Sequence, residues 1–230
     1  MIINSPTPLV NRLFSYTFSM PSPTHVLSYF AKYGLMVYKF NVLYSAFYIR
    51  SRAFYIHYRK EVSIMSIEIA REYLKKWNLD SRIQEFEVSS ATVELAAEAV
   101  HCIPAKIAKT LSFQKEDGCI LVVTAGDAKI DNRKFKDTFG RKATMLKPEE
   151  VVLYTNHAIG GVCPFGVGPK AEIYTDISLK RFDTVYPAAG SANSAVGLTC
   201  DELFACANSI SWVDVCKNWD PSSDTAAPHL

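Results

Sequence analysis

Ile120-Leu121-Val122-Val123-Thr124 is an apolar run closed by a hydroxyl residue. A run of this length and composition reads as a strand buried on both faces. Gly118 turns the chain into it and Gly126-Asp127 turns the chain out again. Upstream, Pro104 restarts the chain and Ile107 to Phe113 reads as another strand. Before that, Thr92 is placed to cap a helix through Val93, Ala96, Ala97 and Val100, with Glu94 near its positive end. Ile83 to Val88 reads as a short strand with Ile83 and Phe86 directed inward. From Ser66, the residues Ile67, Ala70, Leu74 and Trp77 share one helical face.

Downstream, Asp131 is placed to cap a basic helix from Asn132 to Phe139, and Gly140 ends it. Ala143 to Leu146 reads as a short strand, and Pro148-Glu149-Glu150 as the first turn of a helix running to about Asn156. Ala171 to Tyr174, Thr184 to Ala188 and Trp212-Val213 read as strands, and Thr199 with Glu202 forms a capping box. Short strands, interspersed helices and no repeated βαβ unit predict a mixed α/β domain of α+β character over residues 65–219, not a doubly wound sheet.

Two loops are rich in glycine or in small residues. One is Gly160-Gly161-Val162-Cys163-Pro164-Phe165-Gly166-Val167-Gly168, and the other is Gly190-Ser191-Ala192-Asn193-Ser194. Gly admits positive φ and close backbone approach, and Pro stiffens the chain. Such a loop is either a tight connection or a rigid edge that presents function, and glycine content alone leaves both readings open.

The chain is 230 residues with 49% hydrophobic and 21% charged residues, enough apolar material for a core. Its net charge of +2 hides a division. Residues 1–64 carry seven Lys or Arg against the single acid Glu61, whereas residues 65–230 carry 18 basic and 22 acidic side chains. Residues 1–64 also hold 14 of the 25 Phe and Tyr residues with no sustained periodicity. Three readings compete there: an organelle transit peptide, a membrane-surface or nucleic-acid arm, and an extension upstream of the true start. The last is favoured because Met65-Ser66-Ile67-Glu68 at once begins an ordinary amphipathic helix. Little packed structure is expected before Met65, and residues 220–230, rich in Pro, Ser, Ala and Asp, are expected to be disordered.

Six cysteines without a C-x-x-C pair, and five histidines not spaced as zinc ligands, predict neither a metal site nor a cofactor. No secretory signal is legible and no run of about 18 apolar residues occurs, which predicts reduced thiols, a cytoplasmic location and no membrane partner.

Three segments in order carry a family resemblance: Ile107-Ala108-Lys109-Thr110-Leu111, then Gly160-Gly161-Val162-Cys163-Pro164-Phe165-Gly166, then Tyr186-Pro187-Ala188-Ala189-Gly190-Ser191. With Gly126-Asp127 and Lys147-Pro148-Glu149-Glu150 between them, residues 66–216 resemble the YbaK/prolyl-tRNA-synthetase-associated editing domain family. The resemblance implies a single domain with a mixed, partly barrel-like sheet surrounded by helices. It implies a free-standing aminoacyl-tRNA deacylase that hydrolyses the ester of a mischarged tRNA, with a synthetase or elongation factor met in passing. The family's lysine falls on Lys109 and its G-x-x-x-P loop on Gly160 to Pro164, so Lys109, Gly160 and Gly161 are expected at the reacting ester. Phe86, Thr110, Cys163, Pro164, Phe165, Gly190 and Ser191 are expected to line the substrate pocket. Lys109 is expected to position phosphate or stabilise developing charge, not to act as a nucleophile. Cys163 invites a nucleophile reading with His157 as its base, but the resemblance implies a residue that shapes the pocket. Arg133, Lys134, Lys136, Arg141 and Lys142 are candidates to grip the acceptor end of tRNA. The competing function is a non-catalytic module that uses the same pocket to bind a tRNA 3′ end or a small metabolite.

Overall fold

A computed structural model of the protein describes residues 65–88 and 90–221. The expectations for residues 1–64 and 222–230 lie outside the described residues. In chain order the strands are β1 (Ile83–Glu85), β2 (Ile107–Lys115), β3 (Gly118–Ala125), β4 (Lys129–Ile130), β5 (Ala171–Asp176), β6 (Tyr186–Pro187), β7 (Ser194–Val196), β8 (Trp212–Val213) and β9 (Cys216–Lys217). The helices are α1 (65–75), α2 (Val93–Ala99), α3 (Asn132–Phe139), α4 (Pro148–Thr155) and α5 (Cys200–Cys206).

The apolar run is β3, all of whose residues are buried. It is the middle strand of a five-stranded mixed sheet, order β6-β2-β3-β5-β8. β2 and β3 are antiparallel, with Thr110 opposite Val123, while β3–β5, β5–β8 and β2–β6 are parallel. Burying the Ile, Leu and Val side chains of β3 contributes roughly 1.5–3 kcal/mol each, so this strand anchors the core. Past β6 the sheet continues through a bridge from Ala188 to Ala195 of β7, which pairs with β1.

Local chemistry sets the helices. Asp131 Oδ1 accepts from Arg133 N at 2.9 Å and Lys134 N at 3.2 Å, and Gly140 ends α3 at φ 69°. α3 buries Phe135 against Phe113 of β2, ring centroids 4.7 Å apart. Glu150 accepts from Lys147 N at 2.8 Å at the start of α4, and Thr199 with Glu202 forms the reciprocal cap of α5.

The structure departs from the sequence expectation in four places. Ala143 to Leu146 forms one bridge, Met145 opposite Phe113, because Lys147-Pro148 turns at once into α4. The strand from Ile83 stops at Glu85. Trp77 falls in the turn after α1 and is 41% exposed, while Leu79, carried past the left-handed Asn78, is buried instead. The β4–β9 pair, two residues on each side, is too short to leave a periodic signal.

Candidate functional site

Among the described residues, the edge of β2 that faces away from β3 is paired only at its two ends. β6 covers it at Ile107 and Ala108. Residues 144–146 cover it further on, where Gln114 N donates to Thr144 O at 2.8 Å and Leu146 N to Ser112 O at 3.0 Å. Along β2 lies a cleft of about 340 Å³, to which Ala108, Lys109 and Thr110 contribute. Its walls include Val93 of α2, Val151 of α4, Gly160, Tyr186 and Ser194. The cleft is therefore assembled around the middle of one strand by segments drawn from residues 90–195.

Lys109 is half-buried, and its ammonium donates to Gly126 O at 2.8 Å and Ala128 O at 2.5 Å. Burial holds its pKa below the ordinary lysine value, partly opposed by the nearby Asp127 carboxylate. The turn that receives it packs under the cleft wall: a Cβ at Gly126 would stand 2.6 Å from Val93 Cγ1 and 2.0 Å from Pro104 O. Two carbonyls occupy two of the three ammonium hydrogens, which leaves one for a ligand.

The turn is itself clamped. Arg181 grips Asp127 through both terminal nitrogens, Nη2 to Oδ1 at 2.6 Å and Nη1 to Oδ2 at 3.0 Å. Arg181 also donates from Nε to Ser178 O at 2.9 Å, and its Nη1 reaches Asp220 O at 3.0 Å. Its side chain is 4% exposed. Sequence reading missed this clamp, since two opposite charges 54 positions apart carry no periodic signal.

Gly160 reaches the cleft, exposed, at φ +91°. Gly161 turns the other way, onto the second bare loop: a Cβ there would lie 2.6 Å from both Gly190 O and Ser191 Cα. Gly190 in turn lies against the backbone of Ser66 in α1, where a Cβ would meet Ser66 O at 2.3 Å. Ser191 is buried and donates to Asn193 Oδ1 at 2.9 Å, with Ser194 Oγ 2.8 Å away. The two bare loops thus stack back to back, and the second reaches the cleft through Ser194 and Ala195, not through Gly190 or Ser191. Phe86 sits outside the cleft lining, joined to Asn193 by Phe86 N→Asn193 O at 2.8 Å and Asn193 Nδ2→Phe86 O at 2.9 Å.

Cys163 and Phe165 are fully buried behind the loop, and Pro164 borders a separate cavity of about 170 Å³. His157 Nε2 lies 2.8 Å from Phe165 O. A carbonyl only accepts, so Nε2 carries the hydrogen. The Cys163 sulfur, 3.4 Å from the same nitrogen, therefore faces an N–H and no lone pair. Burial pushes the thiol up to about 12 and the imidazole down to about 4, so both groups are neutral near pH 7. The pair has the residue types of a nucleophile and base without the tautomer, charge or access that such chemistry needs.

Of the residues expected at the site, Lys109, Thr110 and Gly160 share the cleft; the others stand behind its walls or beside it. Among the described residues, no carboxylate, imidazole or thiol lines the cleft. No group of three or more potential metal ligands occurs, and no helix is long and apolar enough to cross a membrane, again among the described residues.

The family model of the aminoacyl-tRNA editing domain matches residues 87–206. The uncharacterized protein YwhH of Bacillus subtilis (strain 168) is 54% identical over 157 residues, 68% of this chain and 100% of the relative. A proline–tRNA ligase of Geobacillus sp. (strain WCH70) is 31% identical over 90 residues, 39% of this chain and 16% of the ligase. The solved structure of a candidate trans-editing enzyme for prolyl-tRNA synthetase has a TM-score of 0.61 at 28% identity, covering 66% of this chain and 97% of that one. The matched residues contain β2, the glycine loop and the walls of the cleft, and the chain belongs to the aminoacyl-tRNA editing domain family.

Proposed function

We propose that the protein is a free-standing aminoacyl-tRNA deacylase that hydrolyses the ester of a mischarged tRNA in the cytoplasm. The observation that carries this reading is the meeting of Lys109 and Gly160, 51 positions apart in the chain, in one cleft. Ester hydrolysis passes through an oxyanion, and a half-buried ammonium held by two carbonyls is a preorganised positive group. Gly160 admits the terminal ribose without side-chain obstruction. With no protein base in the cleft lining among the described residues, the attacking water passes its proton to a substrate hydroxyl or to further water.

Charge distribution supports an RNA partner. Residues 129–147 carry seven basic and two acidic side chains, on a domain that is otherwise strongly acidic. Lys134 is drawn to Asp214 at 2.7 Å, but Lys136, Arg141, Lys142 and Lys147 have no ion pair among the described residues. Their segment runs into Met145 and Leu146, which border the cleft, so a phosphate backbone held there would lead its end toward Lys109.

The test is a panel of mischarged tRNAs that includes alanyl-, cysteinyl- and seryl-tRNA. Ester cleavage above background with at least one, lost in a folded Lys109→Ala variant, is the expected result. No cleavage with any of them refutes the enzyme reading, and full activity in the variant refutes the site. The lack of a protein base in the cleft among the described residues favours one rival, a binding module without turnover, which tight tRNA binding without cleavage would select.

A further inference from the structure

The cleft contains main-chain groups that the rest of the described protein leaves unused. In an antiparallel pair, successive residues turn their N–H and C=O alternately toward the partner strand and away from it. Ser112 O and Gln114 N bond to residues 144–146, so the even-numbered residues of β2 turn away from β3. Their partners agree: Ala125, opposite Ala108, donates its N–H to Ser178 Oγ at 3.2 Å, and Cys119, opposite Gln114, donates to Lys170 O at 3.1 Å. Thr110 lies between these positions and turns outward with them. There the pairing with β6 has stopped at Ala108 and that with residues 144–146 has not begun. Among the described residues, the N–H and C=O of Thr110 meet no partner on this edge, and its Oγ1 is buried with none.

An unpaired strand edge is a template for another extended backbone. The outward N–H and C=O of one residue are spaced to meet the C=O and N–H of an extended amino-acid unit lying antiparallel to it. An aminoacyl ester presents that pair, a carbonyl oxygen and an ammonium on the adjacent carbon. We infer that Thr110 binds the aminoacyl group through its main chain: its C=O accepts from the α-ammonium and its N–H donates to the ester carbonyl oxygen. The ligand class is therefore an ester of an amino acid with a free α-amine, an inference that rests on the proposed deacylase activity.

The chemistry balances on these atoms. Water oxygen adds to the ester carbon and the carbonyl electron pair moves to the oxygen facing Thr110 N–H. The carbonyl then re-forms, the bond to the ribose oxygen breaks, and that oxygen leaves with the proton the water gave up. The Thr110 N–H bond strengthens as the oxygen gains charge, which places Thr110 among the catalytic residues.

Two measurements test it on the full chain. The tRNA ester cleaved fastest in the panel is compared with its N-acetyl derivative and with the matching α-hydroxyacyl ester. Both lose a charge-assisted bond, so cleavage at least about 30-fold slower is expected. Separately, the Thr110 amide resonance is followed by NMR as a non-hydrolysable 3′-aminoacylamino-adenosine is added. A shift with the free-amine analogue but not with its N-acetyl form is expected. Equal cleavage of free and acetylated esters, or a Thr110 resonance that does not move, overturns the inference. Failure of the wild-type protein to cleave any ester overturns the deacylase reading instead, and the resonance still decides whether the edge binds an aminoacyl group.

Discussion

Replacing Arg181 by Met tests whether the clamp on the 126–128 turn sets the position of Lys109. The substitution keeps most of the stem volume and removes at least four hydrogen bonds, two of them to Asp127. Breaking a fully buried ion pair on one side costs about 3–5 kcal/mol. Asp127 is 33% exposed and regains some water, so the expected loss is roughly 2–3 kcal/mol. For a domain of this size that lowers Tm by roughly 5–10 °C. Asp127→Asn combined with Arg181→Met should be less than additive, with a coupling on the order of 1–2 kcal/mol. Burial now holds the Lys109 pKa below the ordinary lysine value, so the basic limb of the pH–rate profile should lie below the lysine range. In Arg181→Met the loosened turn lets water reach the ammonium, and that limb should move up. Thermal unfolding and kcat/KM measured against pH supply the two readouts. A Tm drop under about 2 °C would show that the clamp carries little energy. An unmoved basic limb in a folded variant would refute the link from Arg181 through the turn to Lys109.

His157 ties stability to mild acid. Its pKa falls from an ordinary 6.5 to about 4 on folding, so the unfolded chain binds more protons between those values. Stability is complete above the unfolded value and declines as pH drops toward 4, by roughly 3 kcal/mol in all, a slope that urea unfolding should find reduced in His157→Gln. Cys163→Ala should cost about 1–2 kcal/mol and leave ester cleavage within a few-fold, and thiol-directed reagents should not inactivate the folded protein; rapid inactivation that this variant abolishes would restore the nucleophile reading. Gly161→Ala drives a Cβ to 2.6 Å from Gly190 O and should cost about 2–3 kcal/mol in urea unfolding while displacing Gly160 from the cleft; wild-type stability would mean that the two loops do not stack.

Sequence alone determined what depends on near neighbours. Asp131 and Gly140 bracket α3, Thr199 with Glu202 starts α5, and the apolar run names the central strand, because caps, turns and burial periodicity act within a few residues. The pairing of Lys109 with a glycine loop was also legible, through the three ordered motifs. Only the tertiary structure decided which of the expected residues face the cleft. Cys163 sits three positions from Gly160, yet a loop that stacks on Gly190-Ser191 turns Gly160 outward and folds Cys163 into the core against His157. The Asp127–Arg181 clamp and the unpaired edge at Thr110 were equally hidden. Each depends on which distant segments meet: the clamp on the short 3-10 helix Ile177–Arg181 reaching back to the 126–128 turn, the edge on β6 ending at Pro187 and residues 144–146 pairing only beyond it. Short-range sterics and hydrogen bonding write themselves into local sequence, whereas desolvation and the outward turn of a strand edge exist only once remote segments have packed around it.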